Sequence, residues 1–225
     1  MKSPLAKRAK RPKPSDAAPR ACAGSGRHEI LVAALNAFAR DTFGGASLPD
    51  IARQAGVGTP LIHYHFGTKE KLWKATVAYA FDELVRPLHA IAAASRDLQP
   101  VDGLRLLCRT LIQFASEYPE HVLVLINEAR TPGERLEWVI ENHLRIIHGH
   151  FDRMIERAVA AGQIKAIPAV HLTNIIIQSI VYFYPSVPLI SNLYGVDRQD
   201  SETFSSHGDW IIEVIFRGIQ TAPGS

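Results

Sequence analysis

The sequence predicts an all-α protein in two parts: a small N-terminal helix-turn-helix unit of three helices, followed by a larger C-terminal helical bundle. Two observations carry this. From Arg27 almost to the last residue, apolar side chains recur at helical spacing, with no strand-like alternation of useful length and no internal repeat. Between Ser47 and Phe66, two short helical stretches are joined by a turn containing Gly56 and Gly58, the arrangement of a helix-turn-helix unit.

The elements follow in order. In "RHEILVAALNAFARDTF", Ile30, Ala34 and Phe38 recur at i, i+4 and i+8 with Leu31 and Leu35 beside them, so one apolar stripe faces a core. Gly44 and Gly45 end that helix. Ser47 then offers a capping oxygen, with Asp50 three residues on, and "LPDIARQA" forms a short helix stopped at Gly56. A second short helix runs from about Thr59 to Phe66 and stops at Gly67. Thr68 caps the long helix that begins "KEKLWKATVAYAFDEL". Beyond Pro87, helical segments continue: "GLRLLCRTLIQFASEY", then "PEHVLVLINEART" opening on a proline, then a long helix from "PGERLEWV" closed by Gly162. "PAVHLTNIIIQSIVYFYP" is apolar nearly all round, and "SSHGDWIIEVIFRGIQ" comes last. The expected divisions are an arm at 1–24, a helix-turn-helix domain at 25–73 and a bundle at 74–225.

Composition narrows the function. With 47% hydrophobic and 21% charged residues, the chain of 225 can bury a substantial core. Cys22 and Cys108 are far apart and form no CxxC or Cys/His ligand set, so free thiols in a reducing cytoplasm are expected. No uninterrupted apolar run reaches the roughly 18 residues of a membrane helix, and no membrane partner is expected. The net charge of +3 is uneven: residues 1–26 hold seven basic residues and one aspartate, a net +6, which leaves −3 on the body. This Pro- and Ala-rich arm suits either a solubilising tail or a segment that follows phosphates. In the second case, deleting residues 1–24 flattens the salt dependence of DNA binding.

The stretch "GVGTPLIHYHFGTKEKLW" decides between chemistries. At 100° per residue, Ile62 and Phe66 fall on one side of the second short helix, toward Val57, Ala52 and Ile51. Pro60 and Tyr64 point the opposite way, flanked by Leu61 and His63, with Thr59 at the N-terminal end. His63 and His65 lie about 200° apart and cannot converge on one ion. Neither has a nucleophile or carboxylate in register for catalysis. A short helix showing donors, acceptors and apolar groups, braced from behind, fits the width of a B-DNA major groove.

From about Arg27 to Trp73, the chain resembles the DNA-binding domain of the TetR (tetracycline-repressor) family of bacterial transcription regulators. The residues that carry the likeness are Ile51, Ala52, Ala55, Gly56 and Val57, then Tyr64, His65 and Phe66, then Lys69 and Leu72. The resemblance implies that Thr59, Pro60 and Leu61 meet base edges. It also implies that His63 stands where the family commonly has Tyr, with Tyr64 beside it, and that His65, Lys69 and Ser47 bind phosphate. Lys71 is the neighbouring basic candidate. Two departures stand out: Gly58 replaces the common Ser cap, and His63 exchanges a phenol for an imidazole.

One recognition helix contacts too few base pairs for useful specificity, so a homodimer on a near-palindromic double-stranded operator is expected, its recognition helices roughly 34–36 Å apart. The candidate interface is the apolar "HLTNIIIQSIVYFY" helix with the stripe Trp210, Ile211, Val214, Ile215, Gly218 and Ile219. Burial of both helices within one subunit is the alternative. The resemblance further implies a small-molecule effector bound among the middle helices, with Phe114, Tyr118, Asn127, Trp138, His143, Phe151 and Tyr182 as candidate lining residues. His143, His148 and His150 invite a metal reading, and His143 and His150 share a helix face, but no Cys or carboxylate completes a metal set, and no cofactor is implied. The leading function is therefore an effector-released dimeric repressor. A DNA-binding protein without an effector is a second reading. An all-α enzyme is a third, without a nucleophile–base pair, phosphate loop or metal set to support it.

Overall fold

A computed structural model describes residues 23–94, 98–197 and 201–221, so the basic arm and Cys22 lie outside the described residues. The described residues are helical, with one isolated bridge between Ile164 and Gln220 and no strand. Helix α1 spans Ala23–Gly45, α2 Leu48–Gln54, α3 Thr59–Phe66 and α4 Lys69–Ala94. The bundle adds α5 (Pro100–Glu117), α6 (Pro119–Ala129), α7 (Glu134–Val139), α8 (Arg145–Ala160), α9 (Ala169–Val181), α10 (Val187–Tyr194) and α11 (Ser201–Ile219).

The helix-turn-helix unit forms for the reasons its sequence advertises. Ile30, Ala34, Leu35 and Phe38 of α1 are buried with Ile51 and Ala52 of α2, Ile62 and Phe66 of α3, and Leu72 and Trp73 of α4. The Asp50 N–H donates to Ser47 Oγ (3.2 Å), and the Ser47 hydroxyl donates back to Asp50 Oδ2 (2.7 Å), closing the start of α2. Gly56 and Gly67 sit at φ of +66° and +75°, where a side chain would be strained, so α2 and α3 can end in tight turns. The Lys71 N–H donates to Thr68 Oγ1 at 3.1 Å and starts α4.

Helix α4 runs unbroken through Pro87 and across residue 73, so the two parts share one rigid element. Between α7 and α8, five residues (Ile140–Leu144) form a π-helical turn inside what the sequence reads as one helix. Helix α9 buries Leu172, Thr173, Ile176, Ile177 and Ile180 and leaves Val170 and Ile175 outside. Helix α10 and the 3-10 turn Tyr184–Ser186 before it are additions to the sequence reading. The stretch Ala169–Tyr194 is, by length and composition alone, long and apolar enough to cross a membrane, yet it packs one face on the core and contains Pro185 and Pro188. Helix α11 crosses α5 closely: a Cβ at Gly208 would collide with the Ile112 side chain.

Candidate nucleic-acid interface and ligand cavity

Helix α3 has two faces of opposite character. Ile62 and Phe66 are buried against the scaffold, while Tyr64 keeps 81% of its surface exposed, beside exposed Pro60 and His63. Thr59 and His65 are half-buried. Leu61 is also half-buried and lies against α1, its Cδ2 3.3 Å from where a Cβ on Gly26 would sit. Gly58 supplies no side-chain cap; Pro60 has no N–H, and the Leu61 N–H donates to the Gly58 carbonyl at 2.9 Å, so α3 starts on its own backbone.

The histidines of this helix have separate tasks. His63 Nδ1 lies 2.9 Å from the Gly67 carbonyl oxygen. A carbonyl only accepts, so Nδ1 carries the proton and Nε2 is left for an outside partner. The His65 ring sits edge-on to Tyr64 at 5.1 Å and tilted to Phe66 at 6.0 Å, which restricts both rings. Around α3 the basic side chains are braced: Arg27 lies over Phe66 at 5.3 Å, and the Lys69 ammonium over Phe43 at 4.7 Å. Lys71 is exposed, and Ser47 is half-buried at the α2 cap. Arg40 and Arg53 pair with Asp41 and Asp50, each at 2.6 Å, and add little net positive charge to the surface.

The bundle holds an apolar cavity of about 120 Å³ among α4, α5, α6, α8 and α9. Phe81 and Leu84 of α4 form one wall, Leu111 and Phe114 of α5 another, and Val122, Leu125, Ile126 and Ala129 of α6 a third. His148, Gln178 and Tyr182 are its polar groups. Of the candidate lining residues, Phe114 and Tyr182 meet here. The other five sit elsewhere. Tyr118 packs on Phe114 and His121 at the α5–α6 corner. Asn127 donates to the Ala39 carbonyl of α1 at 2.9 Å. Trp138 packs on Trp73 and Lys74. His143 stacks flat on Phe81 at 4.4 Å, and Phe151 is fully buried in the core. Sequence reading missed Gln178 and weighed His148 only as a metal ligand, because only the packing of α8 against α9 aims the two at a void.

The profile described as bacterial regulatory proteins, tetR family, matches residues 30–76, and that of the tetracyclin repressor-like C-terminal domain matches residues 100–215. The chain belongs to the TetR family. It is 25% identical over 191 residues to the HTH-type transcriptional regulator RutR of Escherichia coli K12, covering 85% of this chain and 89% of that one. It is 27% identical over 200 residues to the HTH-type transcriptional repressor NicS of Pseudomonas putida, covering 86% and 92%. In fold it is similar to HlyIIR, a hemolysin II transcriptional regulator (TM-score 0.69, 18% identity, 89% and 100% covered). It is likewise similar to the ketosteroid transcriptional regulator KstR2 of Mycobacterium tuberculosis (TM-score 0.67, 17% identity, 87% and 95% covered). As a TetR-family protein the chain is a helix-turn-helix, DNA-binding transcriptional regulator, and its family and relatives are regulators rather than enzymes.

Proposed function

We propose that this TetR-family regulator acts as a homodimeric repressor that reads a near-palindromic operator through α3 and is released when a small molecule fills the bundle cavity. The observation that carries it is the two-faced α3: its brace of Ile62 and Phe66 is buried, and Tyr64 is held out beside Pro60 and His63. In this reading Thr59, Pro60, Leu61, His63 and Tyr64 meet base edges, with Leu61 reaching only the rim because α1 covers it. Ser47, His65, Lys69 and Lys71 meet phosphates, which set register without selecting sequence. The dimer forms through the outward apolar side chains of α9, α10 and α11, among them Leu189, Leu193, Trp210 and Val214, each at least 65% exposed in the single chain.

The test begins by selecting bound sequences from random DNA, which yields the operator and its symmetry together. Tyr64→Ala and His65→Ala are then titrated against that operator. A lost base contact costs about 1–3 kcal/mol, so Tyr64→Ala weakens specific binding roughly 5- to 150-fold and relaxes selectivity. His65→Ala weakens binding to all sequences alike. Intact occupancy and selectivity in folded variants overturns the reading of α3, and sedimentation of a monomer at micromolar concentration overturns the dimer.

A further inference from the structure

The cavity is small and its chemistry is lopsided. Its volume of about 120 Å³ is close to that of apolar cavities of roughly 150 Å³ that take up a benzene ring, so one ring is the size match. The body is walled by Phe81, Phe114, Ile126 and Ile177, and among the described residues no Asp, Glu, Lys or Arg lines it. The polar groups gather on the α8–α9 side: His148 is half-buried, and Gln178 on α9 and Tyr182 at its C-terminal cap are exposed. A ligand carboxylate or ammonium among these apolar walls would give up hydration with no lining group of opposite sign to replace it. Burial lowers the His148 pKa against the opposing pull of Asp152, so the ring is neutral at pH 7 and can donate or accept one hydrogen bond.

We infer that the effector is an uncharged single-ring molecule with one hydroxyl or amide group, its ring among Phe81, Phe114, Ile126 and Ile177 and its polar group at His148 and Gln178. This rests on the reading of the cavity as the effector site, and it adds selection by size and charge. Two fused rings do not fit without moving a wall. A charged ring is refused, and a ring with no polar group leaves His148 and Gln178 without a ligand partner.

Five probes test it on the full chain at neutral pH: phenol, toluene, benzoate, benzylammonium and 2-naphthol, with binding read by calorimetry and operator release by fluorescence anisotropy. Phenol is expected to bind at least about tenfold more tightly than benzoate, benzylammonium or 2-naphthol, and to release the operator. His148→Leu with Gln178→Leu weakens phenol about tenfold while leaving toluene unchanged, a split that a general packing defect does not produce. Benzoate or benzylammonium binding as tightly as phenol overturns the class. Xenon needs only an apolar void, and its NMR shift on the unaltered protein tests the cavity separately. Xenon uptake without phenol binding defeats the class alone. Failure of xenon to enter, or phenol binding undiminished in a folded Ile126→Phe variant, defeats the cavity reading and the class with it.

Discussion

Thr42 is a β-branched residue at φ 62° and ψ 176°, a combination that glycine populates and other residues avoid. A ψ of 176° cannot aim the following N–H back along α1, so the Ala39 carbonyl needs another donor, and Asn127 supplies it from α6. The kink turns Phe43 out of the helix into contact with Lys69, Trp73 and Arg135, the guanidinium of which lies 4.2 Å from the ring centroid. Such backbone strain costs of order 1–3 kcal/mol, and Thr42 is itself exposed with little to lose. Glycine here relieves that strain and gives back roughly 0.5–1 kcal/mol in chain entropy. Thr42→Gly is therefore expected to stabilise the protein by about 1 kcal/mol, a rise of roughly 2–4 °C in Tm on thermal melting. A lower Tm contradicts the strain. None of this was legible in "RDTFGG", where Gly44 and Gly45 mark the end of the helix and hide the break before it.

Helix α6 connects the two parts because its faces have different partners. Val122, Leu125, Ile126 and Ala129 line the cavity, Asn127 reaches α1, and the buried Glu128 carboxylate holds Arg135 at 3.0 Å. The element itself was readable from Pro119 and the helical spacing after it. Its role was not, because a half-buried Asn on a middle helix reads equally well as a ligand contact until the partner carbonyl is seen. The π turn was hidden for a similar reason: Ile140–Leu144 keeps helical composition, and the altered register shows only where the Arg145 N–H donates to the Ile140 carbonyl five residues back. Helix α9 reads as apolar on all sides, and the structure divides it into a core face and an exposed one. For α6 the expectation is that Asn127→Asp, which keeps the shape but removes the donor, destabilises the protein by about 1–3 kcal/mol in urea unfolding. Asn127→Ala should do much the same. An Asp variant as stable as the parent means the Ala39 carbonyl does not depend on α6.

Across the molecule, five histidines of the bundle share one condition. His121, His143, His148, His150 and His207 all have pKa values lowered chiefly by burial. Ring nitrogens of His121, His143, His150 and His207 are buried without a hydrogen-bond partner among the described residues. Nearby carboxylates oppose the effect: Glu120 and Glu83 at His121, Asp82 at His143 and Asp152 at His148. At His150, Arg153 and His89 reinforce it, and at His207 a backbone contact to Ser179 opposes it. In the unfolded chain a histidine titrates near 6.5, so below that pH the unfolded state binds protons that the folded state refuses. The stability these residues contribute is complete above the unfolded value and drains away as pH falls toward the lower folded values. Asp41 and Glu141, held below their ordinary values by Arg40 and Arg145, titrate under that window and leave the slope to the histidines. Urea unfolding should therefore show a midpoint that is flat above about pH 7 and falls between roughly pH 6.5 and 5. All five lie outside the helix-turn-helix unit, in the bundle. Replacing His143 and His207 by Phe, each already stacked on a phenylalanine, should reduce the slope. A midpoint that holds or rises on acidification shows that these rings already carry protons in the folded protein.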